Sequence, residues 1–592
     1  MKLEKLRSLM MDAGIDYYVI PTDDFHASEY VGDYFQAREY ISGFTGSAGT
    51  LLVGKEFAGL WTDGRYFLQA SQELDGTGID LMKMGVEGVP TLAEYIKEHY
   101  SEDMVLGFDG RCVSANFVEE LKAVLHGAAL EIVYDRDLVG EIWEDRPALS
   151  KKPAWLLADE SCGATVKEKI ANVRAEMKNK GAESLLLTSL DDIAWLLNLR
   201  GDDIAYNPVV LSFCVITEAE VRLFIQKGSL NAEQEMKFVQ DGVVLEEYLN
   251  VYEFVKTLSV NNIWLNDQKT SYALMENLPK EMKILKGMTP VAYTKCIKNA
   301  KEQDCIRNAH LKDGVAMTKF MYWLKQNAGK VEMSEISVAE KVKEFRTAQK
   351  DFVEESFTTI CGYGPHGAII HYHATEASNA LVKPEGLLLV DSGAQYLDGT
   401  TDITRTFAMG PVTEEEKRNF TTVLKGNLRL GSVKFKEGCT GENLDMVARQ
   451  PLWEAGLDYN HGTGHGIGFV LNVHETPARI NWKGRPGYGE NDPFKPGMIV
   501  SNEPGFYKAG AHGIRLENLI LCQLAEENEY GKFLHFETLT LVPFDLDAVD
   551  VTLLDCREKQ LLNDYHKRVY NELASYMTAE ELTWLKEATR AI

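Results

Sequence analysis

Four carboxylates and one imidazole, Asp391, Asp402, Glu503, Glu517 and His465, lie in strand-like or glycine-rich segments of the C-terminal half of this 592-residue chain. Seven of the thirteen histidines fall between 366 and 512, so proton-handling side chains are concentrated around the same residues. Taken singly, an Asp or Glu is usually a surface or turn residue, because carboxylates are seldom fully buried unless paired. A lone His461 or His474 would ordinarily be a hydrogen-bonded structural histidine. The joint set reads differently. An oxygen-rich group of two Asp, one His and two Glu suits a pair of hard divalent ions better than zinc in a thiolate or three-histidine cage. Four negative charges against two divalent cations leave such a site near neutrality. Manganese fits best, with cobalt or zinc as alternatives. No Glu follows His461 or His465 in the HExxH pattern, which disfavours a helical zinc protease.

Three segments must position these residues. LLLVDSGAQYLDGTTDITRTF at 387–407 reads as a buried strand, an Asp-Gly turn and a returning strand. With the turn centred on Asp398-Gly399, residue 391 pairs with 406 and shares a face with 402. That register leaves the two aspartates four residues apart, roughly 13 Å at about 3.3 Å per residue, too far to share an ion. A bulge or wider loop is therefore expected. HGTGHGIGFVLNVHETP at 461–477 sets three histidines among glycines that allow backbone to approach a ligand closely. MIVSNEPGFYKAGAHGIRLENLIL at 498–521 reads as strand, loop and strand, with Glu503 ending one arm and Glu517 inside the other. Arg515 and Glu517 share a face opposite Ile514 and Leu516, and an acid pointing inward needs a partner.

The segments VDSGAQYLDGTTDITRTF, HGTGHGIG, NVHETP, SNEPGFY and GIRLEN resemble the signatures of the creatinase/aminopeptidase ("pita-bread") superfamily. Upstream, FTGSAGTLLV, LWTDGRYFLQA and WLLNLRGDDIAYNP resemble the two leading domains of its three-domain Xaa-Pro aminopeptidases, so the likeness covers nearly the whole chain. It implies that Asp391, Asp402, His465, Glu503 and Glu517 are the metal ligands, with Asp402 and Glu517 bridging. It further implies that His371, His461 and His474 contact substrate and handle protons, that Glu503 is the general base, and that Tyr507 and Arg515 support the ligands. The expected reaction is release of the N-terminal residue from peptides with proline second, by a hydroxide held between the two ions. The alternatives are a prolidase acting on Xaa-Pro dipeptides, which usually has one leading domain, and a metal-free pita-bread binding protein, which lacks the full ligand set. His366 and His373 fall outside the family pattern; on a strand, His373 would share the face of His371. Asp63 and Arg65 read as a buried structural ion pair rather than a substrate contact. A homodimer is implied by the resemblance, with the third domain and its helical tail as one surface, although Trp584 would equally pack within one subunit.

The rest of the chain gives the frame. Its length calls for several domains, and the composition is that of an ordinary globular protein. The fold class expected is α/β and α+β multidomain: two creatinase N-terminal-like domains at 1–152 and 153–300, then a pita-bread catalytic domain at 301–592 with an extension from about 540. In both leading blocks a helix leads to a buried strand, then an Asp-Asp pair (Asp23 and Asp24; Asp191 and Asp192), then an aromatic, Gly-containing segment, which reads as a duplication. A helical stripe runs through 306, 309, 315, 316, 320 and 324. A net charge of −27 repels nucleic acid and anionic membrane but not a cationic peptide amino terminus. Nine scattered cysteines without a CxxC read as reduced and cytoplasmic. No export signal or bilayer-spanning run is visible.

Overall fold

A computed structural model describes residues 2–483 and 492–592. The chain forms two compact units, Met1–Leu157 with Ala164–Val291, and Ala158–Gly163 with Ala292–Ile592.

The first unit contains two six-stranded sheets. In the first, strands Tyr17–Pro21, Thr50–Gly54, Ala58–Thr62, Asp80–Lys83, Val105–Phe108 and Glu131–Val133 are arranged, numbered in chain order, as 4-3-2-1-5-6. The second uses Ser184–Leu187, Ser212–Thr217, Val221–Ile225, Val243–Glu247, Asn262–Leu265 and Lys283–Lys286 in the same order. Parallel and antiparallel pairings also repeat strand for strand. The duplication read from the sequence is thus one of topology. Apolar side chains line both faces of the first sheet in separate clusters, as helix-covered sheets require. The repeated Asp-Asp pairs have local structural partners. Asp24 accepts the N–H groups of His26 (2.8 Å) and Ser28 (3.0 Å), and Asp192 accepts the Thr289 hydroxyl at 2.7 Å. Arg65 and Asp63 make a bidentate pair, but with side-chain exposures of 26% and 37% it is not the buried pair expected.

The second unit opens on the helix Ala300–Asn327. It starts where Asn299 and Glu302 form a reciprocal capping box, and its expected stripe, Ile306, Ala309, Val315, Ala316, Phe320 and Leu324, is buried throughout. A six-stranded sheet places Lys434–Lys436, Gly531–Thr538, Asn518–Asn528, Ile499–Asn502, Gly464–Gly466 and Glu475–Ile480 side by side. A three-stranded sheet holds Leu387–Ser392 between Ile360–Tyr363 and Ile403–Ala408. Helices Glu414–Gly431, Gly441–Glu454 and Cys556–Leu573 flank these sheets, and the first and last of them share one apolar core. Trp584 packs within the unit, edge-on to Tyr322 at 5.6 Å.

Candidate metal centre

Strands Leu387–Ser392 and Ile403–Ala408 pair antiparallel with Asp391 opposite Thr404, not residue 406. The true turn is Leu397-Asp398, one residue before the one expected, because Tyr396 pairs with Gly399. Asp391 and Asp402 consequently stand two positions apart on one face, roughly 7 Å at about 3.3 Å per residue. The wider loop expected takes the form of a split. Beyond Asp391 and Asp402 the ladder leaves its sheet, and Ala394–Tyr396 and Gly399–Thr400 pair in another one, beside Phe352–Glu355. Gly393 permits the crossing, since a Cβ there would lie 2.0 Å from the Thr401 carbonyl oxygen and 2.1 Å from Ser356 Oγ.

His465 comes from the short strand Gly464–Gly466. Its Nδ1 lies 3.0 Å from the Gly466 carbonyl, which can only accept, so the proton sits on Nδ1 and the lone pair of the neutral ring is on Nε2. Nε2 faces Asp402 Oδ2 at 3.5 Å and Glu503 Oε1 at 3.3 Å. Ser501 ties the neighbours together: its Oγ accepts the His465 N–H (3.0 Å) and donates to Glu503 Oε1 (3.1 Å). Glu503 follows strand Ile499–Asn502, and its N–H donates to the Thr463 carbonyl at 2.9 Å. Glu517 lies in the gap between strands His512–Arg515 and Asn518–Asn528 rather than inside an arm. Its N–H donates to the Thr404 carbonyl (3.0 Å), and its Oε2 accepts the Thr404 hydroxyl (2.8 Å).

Ligand atoms of Asp402, His465 and Glu517 lie within 4.8 Å of one another, a span one ion can bridge. Asp391 Oδ1, Asp402 Oδ1 and Glu517 Oε1 are buried with no hydrogen-bond donor, although Asp391 Oδ2 takes two bonds from Arg515, at 3.0 and 2.6 Å. One guanidinium does not offset four carboxylates. Burial, reinforced by Asp391 and Glu503, drives the Asp402 carboxyl well above its usual range; burial and Asp402 do the same to Glu517. Glu503 is pushed up to about 7 by burial, with Arg515 opposing and Asp391 adding to the rise. Divalent cations relieve this repulsion and satisfy the orphaned oxygens, so the donor set fits two such ions.

The remaining candidates surround this cluster. His474 stands edge-on to His465 at 4.2 Å and acts electrostatically on Asp402 and Glu503. His461 Nδ1 lies 2.8 Å from the Gly462 carbonyl, so Nε2 of the neutral ring accepts from the Tyr507 hydroxyl at 2.9 Å. The same hydroxyl oxygen accepts from Arg515 Nη1 at 2.7 Å, which makes a continuous chain from His461 to Asp391. His371 is half-buried in a turn after the short helix Gly364–Ala368, not on a strand; the Ile370 carbonyl before it accepts from Arg515 Nη2 at 3.2 Å. His373 therefore gains no shared strand face and is exposed, whereas His366 is bonded to Glu335.

Several supporting residues carried no pattern in the sequence. Thr404 and Ser501 are common residue types whose roles arise from pairing. Arg405 is completely buried and donates to the carbonyls of Thr404 (3.0 Å), Glu517 (2.5 Å), Val542 (2.9 Å) and Pro543 (3.2 Å), to Asn518 Oδ1 (2.8 Å) and to the Tyr565 hydroxyl (3.0 Å). A charged residue in a strand that continues an apolar run was the available signal. Arg449 likewise clamps the His461 loop, donating to the Tyr459 carbonyl (2.7 Å), the His461 carbonyl (2.6 Å) and Asp445 (2.6 Å).

A carboxylate-rich centre set in a pita-bread fold that follows two repeated α/β domains in the sequence defines a class of metal-dependent hydrolase. The chain belongs to metallopeptidase family M24: the family matches residues 304–523, its C-terminal region 532–592, and the creatinase/prolidase N-terminal domain matches twice, over 2–135 and 145–302. It is 39% identical to a probable Xaa-Pro aminopeptidase P of Botryotinia fuckeliana, over 99% of this chain and 92% of that one. It is 37% identical to Xaa-Pro aminopeptidase 1 of Dictyostelium discoideum, over 100% and 96%. The crystal structure of X-prolyl aminopeptidase from Caenorhabditis elegans, described as a cytosolic enzyme with a di-nuclear active site, superposes with a TM-score of 0.95 at 35% identity, covering 100% of this chain and 99% of that one. An Xaa-Pro dipeptidase from Bacillus anthracis shares the fold over 64% of the chain, with a TM-score of 0.51 at 23% identity.

Proposed function

We propose that this chain is an Xaa-Pro aminopeptidase that removes the N-terminal residue of peptides with proline second, using two divalent ions, manganese in preference, held by Asp391, Asp402, His465, Glu503 and Glu517. The observation that carries the metal chemistry is the set of three buried carboxylate oxygens without donors beside a histidine whose Nε2 is turned toward Asp402 and Glu503. Proline specificity rests on the end-to-end likeness to enzymes of that name.

Bound at this centre, divalent ions supply Lewis acidity: they lower the pKa of water and polarise the scissile carbonyl. The chain's own residues do the rest. Glu503 is the base that takes a proton from the attacking water. His474 and His371 donate hydrogen bonds where charge develops on the carbonyl oxygen and deliver a proton to the leaving nitrogen. Proline's nitrogen has no N–H to offer, so recognition there relies on shape and on the proton delivered. Arg515 fixes Asp391, and through Tyr507 it fixes the orientation of His461. The net charge of −27 favours a cationic peptide amino terminus, and ions held by these residues would supply the anchor for that terminus which limits cleavage to the first bond.

The proposal extends to a cytoplasmic homodimer. All nine cysteines are free thiols in the structure, and no described helix is long and apolar enough to cross a membrane. The domain limits proposed are 1–152, 153–300 and 301–592. The test is hydrolysis of Xaa-Pro-Xaa tripeptides and Xaa-Pro dipeptides, with chelator and with added manganese. Manganese-dependent tripeptide cleavage is expected. Tripeptide activity that survives complete metal removal sinks the metal assignment, and activity confined to dipeptides makes the enzyme a prolidase.

A further inference from the structure

We propose that Glu335, a residue outside the metal centre, is the positioning residue for His371. Between Ile369 and Gly386 the chain has no helix or strand among its described residues, apart from an isolated bridge from Leu381 to Ser334, yet this stretch carries His371. One carboxylate holds it. Glu335 is completely buried, and its two oxygens accept four hydrogen bonds, each 2.8 Å long. Oε1 takes the Tyr363 N–H and His366 Nδ1; Oε2 takes the Tyr372 hydroxyl and the Ala380 N–H. The four donors are spread over eighteen residues of chain, from Tyr363 to Ala380, so one side chain ties the two ends of the loop together.

A neutral side chain could not do this, because four donors aimed at one buried group require an acceptor-only partner. The charge is tolerated there for two reasons. Hydrogen bonds to an ionised acceptor are the strong ones, and Glu335 is the first residue of the helix Glu335–Thr347, whose N-terminal dipole favours an anion. Its own N–H also donates to the Ala380 carbonyl at 3.1 Å.

His371 is bracketed by this device. The residue before it is bonded through its carbonyl to Arg515, which holds Asp391. The residue after it, Tyr372, is bonded to Glu335 and packs with Ile360 and with Leu389 of the strand Leu387–Ser392, which carries Asp391. Loosening the Tyr372 end removes one of these two anchors beside His371. Misplacing a reacting group by about 1 Å can cost roughly a hundredfold in rate. His366, unassigned by the sequence, is thereby a strut of the loop rather than a participant in the chemistry.

The inference rests on the role proposed above for His371, and the experiment separates the two. Glu335→Gln, Tyr372→Phe and His371→Ala are made in the full-length, manganese-loaded chain, singly and in the combinations with His371→Ala. Steady-state kinetics on an Xaa-Pro-Xaa tripeptide are followed together with metal content. Glu335→Gln should lower kcat by roughly ten- to a hundredfold with KM and metal content little changed. Tyr372→Phe, which removes one of the four bonds, should do the same to a smaller degree. Neither should lower kcat further in the His371→Ala background, because residues acting through one another are not additive. A merely structural carboxylate would depress both backgrounds equally, and that result overturns the proposal. If His371→Ala retains full kcat, the role of His371 falls; if it is impaired while Glu335→Gln and Tyr372→Phe are both normal, the Glu335 proposal alone falls. Should Glu335→Gln fail to fold, the Tyr372→Phe pair decides by the same criteria.

Discussion

At the scale of single residues, the acids of the centre, if stripped of ions by a chelator, would hold protons more tightly than in the unfolded chain. Glu503 is raised from 4.5 to about 7, and Asp402 and Glu517 also rise, all by burial first. A carboxyl whose folded pKa is raised favours folding below its unfolded pKa, and that advantage is lost as pH climbs through the folded value. Thermal midpoints of the chelated protein should therefore fall between about pH 5 and 8, while those of the manganese-loaded protein should not; parallel curves would contradict the donor assignment. Glu517→Gln removes one of the repelling charges. Its chelated form should melt higher than the chelated wild type, manganese should stabilise it less, and turnover should drop by at least about a hundredfold, beyond the usual effect of an outer partner. The five proposed ligands were legible in the sequence because their segments resemble the family signatures and because hard ions call for oxygen donors. Their partners Thr404 and Ser501 were not, since nothing about a threonine or serine in a strand foretells which neighbour it will face.

At the scale of elements, the Asp-Gly pair misled in an instructive way. Gly399 does not serve the turn: a Cβ there would lie 3.1 Å from Ala309 Cβ and 3.3 Å from Ile306 Cα, so the glycine lets the hairpin lie against the long helix. Asp398 is likewise taken up by that helix, bonded to Asn308 and paired with Lys312 at 2.9 Å. Tertiary packing thus chose these residues, and a turn rule applied to them shifts the register by two. The hairpin tip has a second task. Val470, a β-branched residue with φ of 52°, is held in a left-handed conformation that costs roughly 1–3 kcal/mol, between His465 and His474. Gln395 Nε2 donates to the Leu471 carbonyl at 2.7 Å, and Thr400 Oγ accepts the Leu471 N–H at 3.2 Å. Thr400→Ala should cost about 1–2 kcal/mol through the unsatisfied N–H. It should also lower kcat while metal content stays constant, because His474 loses its anchored loop. A kcat unchanged beside the stability loss would show that the loop needs no such pin.

At the scale of the whole molecule, every proposed ligand lies in the second unit, and the repeated sheets of the first supply none. Hydrogen exchange with and without chelator should register this partition. Protection should be lost on chelation in 387–408, 461–475 and 499–517, and stay constant in strands such as Tyr17–Pro21 and Ser184–Leu187; uniform loss across both units would refute it. The duplication was visible in sequence because both halves repeat the same alternation of helix, buried strand and Asp-Asp pair. The identity of their strand orders was not visible, since order depends on pairings between distant segments.

Arg405 gives the centre a place in time. Its six acceptors include the Glu517 carbonyl, backbone at 542 and 543, and the hydroxyl of Tyr565. A chain emerging from the ribosome N-terminus first exposes Asp391 and Asp402 well before Glu517, and Glu517 before the helix that bears Tyr565. Until that helix arrives, a buried guanidinium beside the ligands is short of acceptors, and the acids around it have no finished frame. A polypeptide truncated before the helix Cys556–Leu573 is therefore expected to retain metal less well than the full chain, which metal content after purification would measure.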